Sequence, residues 1–315
     1  MSARLPSSWL RIDAIKPRYH EVRLPLSGHA WLPFADIPRS FDLETMYEDL
    51  NASFPGGFVI KGCPPEVSEL FVSLKHDTIR TGIDARLDLS EPIHFEGEKI
   101  IASLKRGRRH GTVEEISIGE EHSRKRLEEV LSASPHAGKP QLKHVFRIEP
   151  SRTSRCFVFR SFSGKWLAFA TLSRNTKNFY QAEMLVRDRN APGDIMECLI
   201  AEMATTLRSE GVSELSLGEV PFMLHPADIQ PLTVMERLVF SGVKFCRHAY
   251  DYQGLYFFKN KFRPAWRTLR LCGGPGIRFT PLLISELASS MGFVDLLAHS
   301  GRESVNSPFW PWPTR

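Results

Sequence analysis

Residues 155–174 read RCFVFRSFSGKWLAFATLSR, two aromatic and aliphatic runs that meet at Ser163-Gly164. Runs of this composition joined by a short Ser-Gly turn predict a β-hairpin. Working outward, NFYQAEMLV (178–186) predicts a third strand and RDRNAPG a loop. A helix is expected from Asp194 to about Glu210, because Ile195, Met196, Leu199, Ile200, Met203 and Leu207 recur at helical spacing before Gly211. SELSLGEV (213–220) predicts another strand, LTVMERLVFSG (232–242) a second helix, and FFKNKFRPAW (257–266) a last strand.

The preceding half carries the same mixture. FVIKG (58–62) predicts a buried strand, and Pro64-Pro65 opens the amphipathic helix EVSELFVSLKH. TGIDARLDL (81–89) alternates as a strand, FEGEKIIASLKRGRRHG (95–111) reads as a helix with a basic end, and TVEEISI as a strand. After a helix at SRKRLEEVLSAS (123–134), SPHAGKPQLK replaces periodic apolar residues with Pro, Gly and Lys. The expected organisation is mixed α/β in two parts, 1–140 and 141–315.

The 315 residues are 42% hydrophobic, enough to bury a large core, and Lys plus Arg outnumber Asp plus Glu by 41 to 36, a net +5. That balance accommodates a polyanionic partner such as nucleic acid or an anionic membrane. Cys63, Cys156, Cys198, Cys246 and Cys272 are scattered without metal-binding spacing, so reduced, packed thiols and no metal are expected. No window reaches the roughly 20 apolar residues of a membrane span, and the N-terminus lacks a signal-peptide run, so a cytoplasmic location is expected.

Hairpin, strand, loop, helix, strand, helix, strand is the order of a GNAT-type acyltransferase half. Four stretches sharpen this: TGIDARLDLSEPIHFEG (81–97), EMLVRDRNAPGDIMECLIAEMA (183–204), SELSLGEVPF (213–222) and LYFFKNKFRPAWRTLRL (255–271). In this order, and with the string K-x-K-F-x-P-x-W, the chain resembles the C-terminal domain of phosphatidylglycerol lysyltransferases, the family also called DUF2156. The resemblance implies tandem GNAT-like folds, each a mixed, mostly antiparallel sheet flanked by helices. It also implies transfer of an aminoacyl group from aminoacyl-tRNA to a lipid or other hydroxyl, without a cofactor. Family members carry a multi-helix membrane portion before this domain, so the chain resembles a free-standing form, with peripheral contact at an anionic inner-membrane face as the corresponding expectation.

Where the family tends to read D-L-M-R, this chain has Glu183, Met184, Leu185 and Val186. Glu183 keeps the carboxylate and is the candidate general base; an ion pair with Arg187 or Lys165 is the structural alternative. Val186 replaces the guanidinium, and Arg187 lies on the opposite face of a strand.

Arg187, Arg189 and Asn190 precede a helix N-terminus, where free N–H groups favour an anion such as a substrate phosphate. Gly193 stands alone and Pro192 removes an N–H, which disfavours a coenzyme A pyrophosphate. Lys259 and Lys261, two apart, are expected on one strand face, holding a phosphate or an oxyanion, with Lys261 catalytic and Lys259 and Glu219 binding substrate. His248 is a further catalytic candidate. Lys105, Arg106, Arg108 and Arg109 are candidates for tRNA phosphates, or else a solvated helix end. Trp266 reads as packing, with Trp266→Ala expected to cost roughly 3–5 kcal/mol if buried. The tail SPFWPWPTR suits either a membrane interface or packing on the body. Two other functions fit the residues: an acyltransferase using another activated donor and a small soluble acceptor, and a non-catalytic tRNA- or anion-binding protein of the same fold.

Overall fold

A computed structural model describes residues 4–135, 137–138, 142–145, 154–225, 227–228, 230–242, 251–296 and 298. The first part runs β1 (Leu10–Ile12), β2 (Arg18–Arg23), β3 (Ala30–Pro38), α1 (Leu43–Ser53), β4 (Phe58–Cys63), α2 (Pro65–Ser73), β5 (Thr78–Asp88), α3 (Glu98–Gly107), β6 (Gly111–Ile116) and α4 (Glu121–Ser132). The second runs β7 (Arg155–Ser161), β8 (Trp166–Thr176), β9 (Phe179–Arg187), α5 (Ile195–Ser209), β10 (Glu214–Pro221), α6 (Val234–Gly242), α7 (Tyr252–Asn260), β11 (Ala265–Gly273) and α8 (Pro281–Ser290).

Among the described residues all eleven strands join one sheet, ordered β1-β3-β4-β11-β5-β10-β9-β8-β7-β6, with β2 on β3. Two strands cross the division near residue 140. β11, late in the sequence, lies antiparallel between β4 and β5, and β6 pairs with β7. β5 and β10 form the antiparallel seam between the halves.

Period-two alternation sends neighbouring residues to opposite layers of helix. In β7, Phe157 and Phe159 meet α3 and α5, while Cys156 and Val158 meet Leu127 and Val130 of α4. In β4, Phe58 and Ile60 face Met46, Leu50, Val67 and Phe71 of α1 and α2, while Val59 faces Leu283 and Leu287 of α8. The result is helices on both faces of a largely antiparallel sheet.

One reading is corrected. The stretch FFKNKFRPAW is not one strand: residues 252–260 are the helix α7, and β11 begins only at Ala265. Asp251 supplies the N-cap, its Oδ1 accepting from Gly254 N at 2.7 Å. Lys259 and Lys261 therefore do not share a strand face; Lys259 ends a helix and is buried, and Lys261 is its half-exposed C-cap.

The segment before β1 crosses the sheet as a strap. Ser7 N donates to Gly62 O at 2.9 Å on β4. Leu5 N donates to Asn175 Oδ1 at 3.0 Å on β8, and Asn175 Nδ2 lies 3.3–3.4 Å from the carbonyls of Leu5, Pro6 and Trp9. Arg4 reaches Glu66 of α2 and Glu214 of β10.

Candidate active site

The parallel strands β9 and β10 pair only over Phe179–Gln181 and Glu214–Ser216. Beyond Ser216 the register of β10 against β5 shifts, a bulge that bends the strand away. Gly218 occupies the bulge at φ +89°, a conformation that strains any residue with a side chain. A Cβ there would sit 3.5 Å from Ala182 O and 3.6 Å from Lys259 Nζ, so the requirement for glycine comes from the backbone angle rather than from crowding.

Lys259 reaches into this divergence from α7. Its ammonium donates to Gly218 O at 2.9 Å and Glu219 O at 3.0 Å. It is only 3% exposed. Burial pulls its pKa down to about 8, although Asp84 and Glu219 act in the opposite direction. The bulge is held from the other side as well. Gly218 N donates to Ser216 Oγ at 2.9 Å, Ser216 Oγ donates to Asp84 Oδ1, and Asp84 Oδ2 accepts from Arg86 Nε at 2.8 Å. Glu219 Oε1 accepts from Thr81 Oγ1 at 3.2 Å.

Glu183 adjoins this point through its chain neighbour Ala182. It is buried, accepting from Ser8 Oγ of the strap at 2.8 Å and from Ser173 Oγ. The expected alternative partner Lys165 instead binds Asp188 at 2.7 Å. Lys261 Nζ donates to Glu197 Oε1 at 2.8 Å, with the lysine side chain 51% exposed and the glutamate 2%. Glu197 Oε2 and Arg86 Nη1 are buried with no hydrogen-bond partner among the described residues. Leaving such atoms unpaired is costly.

The loop ahead of α5 is not an open anion cradle. Asn190 N donates to Asp188 Oδ1 at 2.9 Å, and Arg187 Nη1 lies 3.4 Å from Ala191 O. Arg189 reaches the carbonyls of Ala133 and Ser134 at 3.2 and 2.9 Å, at the C-terminal end of α4. Arg106 holds Asp194, and Arg108 binds Glu202 at 2.8 Å, both tying α3 to α5. The two carboxylates of this loop, Asp188 and Asp194, are thus each paired with a cation, Lys165 and Arg106. Lys105 and Arg109 are exposed. His248 lies outside the described residues. The structure therefore brings together Glu219 and Lys259, puts Lys261 on the same helix end, sets Glu183 against Ser8 and Ser173, and engages Arg187, Arg189, Asn190, Arg106 and Arg108 in contacts within the fold.

Asp84, Arg86, Ser216, Gly218 and Glu197 were not singled out by sequence. One trace was the string TGIDARLDL, where three charged residues, Asp84, Arg86 and Asp88, alternate inside an apolar strand.

The sequence model of the family described as phosphatidylglycerol lysyltransferase, C-terminal, matches residues 43–272. The chain belongs to this family. It is an acyltransferase, and the family's match spans both halves of the sheet. L-PGS from Bacillus licheniformis has a similar fold, with TM-score 0.61 at 18% identity over 79% of this chain and 76% of that one. The C-terminal DUF2156 domain of a lysylphosphatidylglycerol synthetase from Agrobacterium fabrum gives 0.60 at 21% identity over 80% and 77%. Among curated proteins nothing matches. No helix among the described residues is long and apolar enough to cross a membrane.

Proposed function

We propose that this family member moves an aminoacyl group from the terminal ribose of a charged tRNA to a hydroxyl of a phosphatidylglycerol-like lipid. The acceptor oxygen attacks the ester carbonyl carbon, a tetrahedral oxyanion forms, and the C–O bond to the ribose breaks as the ribose oxygen takes up a proton. One ester replaces another, so the demand is for alignment and charge stabilisation rather than driving force.

The observation that carries the reading is the diverging β9–β10 pair with an ammonium buried in its fork. Lys259 fixes the bulge carbonyls from beneath. Lys261, a half-exposed cation two residues further on and bonded to Glu197, keeps two further N–H donors for the oxyanion or a substrate phosphate. Glu197, buried beneath Lys261, holds that cation in place through Oε1. Glu183, which accepts from Ser8 and Ser173, is our candidate to receive the acceptor's proton once Ser8 yields its bond. The acidic lining of the loop before α5 favours this donor over a coenzyme A thioester.

Purified protein incubated with radiolabelled aminoacyl-tRNAs and phosphatidylglycerol in detergent tests the reading. Label should enter the organic phase from at least one charged tRNA. Label that stays on tRNA with every amino acid, or that moves only to a water-soluble acceptor, would refute it.

A further inference from the structure

The twenty residues from Tyr252 to Leu271 contain five cations, Lys259, Lys261, Arg263, Arg267 and Arg270, and no Asp or Glu. α7 is unusual for a helix at the surface of a soluble fold. Only Lys259 is fully buried, while Leu255, Tyr256 and Phe258 are half-buried and Phe257 is 67% exposed. Lys259 points inward and Phe257 outward, the reverse of the usual amphipathic arrangement, while Phe258 packs against the core.

These aromatic residues form a continuous ledge. Tyr256 stacks on the half-buried Trp266 with ring centroids 5.0 Å apart, and Phe257 meets Tyr256 edge-on at 5.7 Å. Lys261 lies over Phe258 at 5.5 Å, and the exposed Arg263 follows at the turn. His94 Nδ1 and Phe262 O, 2.9 Å apart, bring the short helix Pro92–His94 against this turn, with Ile93 46% exposed.

Exposed aromatic and aliphatic side chains rimmed by cations match the boundary of an anionic bilayer. Ring bodies enter the acyl boundary, amphipathic Trp and Tyr lie at headgroup level, and lysine and arginine meet the phosphates. We propose that α7 and the turn through Arg263 are a membrane-docking ledge that seats the protein on an anionic phospholipid surface. Lys259 is then anchored on the inner side of the same helix whose outer side touches lipid. Docking would therefore set the β9–β10 fork at headgroup depth, where a lipid hydroxyl is found. The inference rests on the proposed lipid acceptor but is read by binding, not by transfer. A nucleic-acid partner is less well matched, because an exposed Phe257 contributes little to phosphate contacts.

Sedimentation of the full chain with sucrose-loaded vesicles is the test, comparing phosphatidylglycerol/phosphatidylcholine mixtures with phosphatidylcholine alone. Binding should require phosphatidylglycerol and weaken as salt is raised. Phe257→Ser, at a site too exposed to unfold the protein, should lower vesicle affinity about tenfold, and Arg263→Glu should lower it further, with melting temperatures unchanged. Transfer to detergent-dispersed lipid should survive in Phe257→Ser. Absence of vesicle binding, or binding indifferent to both substitutions, would overturn the docking ledge. So would a loss of affinity for a charged tRNA minihelix in Phe257→Ser with vesicle binding intact. Wild-type transfer without vesicle binding defeats the ledge alone; vesicle binding without transfer defeats the proposed reaction alone.

Discussion

The ammonium of Lys259 donates to the carbonyl of Gly218 at 2.9 Å, across the point where β9 and β10 part. A cation tied to a glycine carbonyl at φ +89° couples a helix end to a strand bulge. One buried side chain therefore ties the fork to α7.

The first prediction follows from that charge. The pKa of Lys259 falls from 10.5 to about 8 on folding, chiefly through burial. Between these values the unfolded chain binds more protons than the folded one, so stability rises with pH through this window. The span amounts to about 3 kcal/mol. In urea titrations from pH 7.5 to 10.5, Lys259→Met should lack this rise. Parallel curves for the two proteins would mean that Lys259 keeps an ordinary pKa.

Arg80 and Glu236 form a second buried pair, 3% and 1% exposed, bonded through Nε–Oε1 at 2.8 Å and Nη2–Oε2 at 2.7 Å. Arg80 also donates to the carbonyls of Gln230 and Pro231 at 3.0 Å, pinning the chain between β10 and α6. Burial pushes the Glu236 carboxyl up, but hydrogen bonds from Arg80 and Thr233 outweigh it and bring the pKa to about 2. Its contribution is thus complete above the ordinary glutamate pKa and lost as pH falls toward 2. Glu236→Ala should cost about 3–5 kcal/mol at pH 7, because it strands a buried guanidinium. A loss below about 1 kcal/mol in urea unfolding would contradict this pairing.

The strap predicts a local effect. Asn175, 1% exposed, is the side chain that binds the backbone of residues 5, 6 and 9. Asn175→Ala should cost about 2 kcal/mol and speed tryptic cleavage at Arg11, which is otherwise buried. Unchanged cleavage kinetics would show the strap to be held elsewhere.

Trp266 provides a correction in magnitude. Full burial would put Trp266→Ala at roughly 3–5 kcal/mol, but the ring is half-buried, stacked on Tyr256, with Nε1 3.4 Å from Asn260 Oδ1. A loss of about 1–2 kcal/mol is expected instead, read from the shift in urea midpoint at constant slope. A loss above about 4 kcal/mol would place the ring in the core.

The alternation of β4, β5 and β7–β10 was legible because each strand sends every second side chain to one helix layer. α7 was not legible for a physical reason. Its buried residue is a lysine and its exposed one a phenylalanine, so hydrophobic periodicity points the wrong way and Lys-Asn-Lys mimics a strand's alternation. The place of β11 between β4 and β5 is a long-range pairing that no local pattern encodes. The site was half visible. Glu183, Lys259 and Lys261 stand out by type, whereas Asp84, Arg86 and Ser216 acquire meaning only where β5 and β10 meet. The basic run of α3 looked free in sequence because Asp194 and Glu202, its partners, lie about ninety residues away.

Single-turnover transfer from a charged tRNA to phosphatidylglycerol, comparing the wild-type chain with Lys261→Ala, tests the assignment of this fork as the active site most directly. Loss of Lys261 strands the buried Glu197 carboxylate and should lower the melting temperature, so the rate is read well below that temperature. The rate is expected to fall about 10²-fold or more with tRNA affinity nearly unchanged. A rate within about twofold of wild type, a difference worth under half a kcal/mol, would place the chemistry elsewhere in the fold.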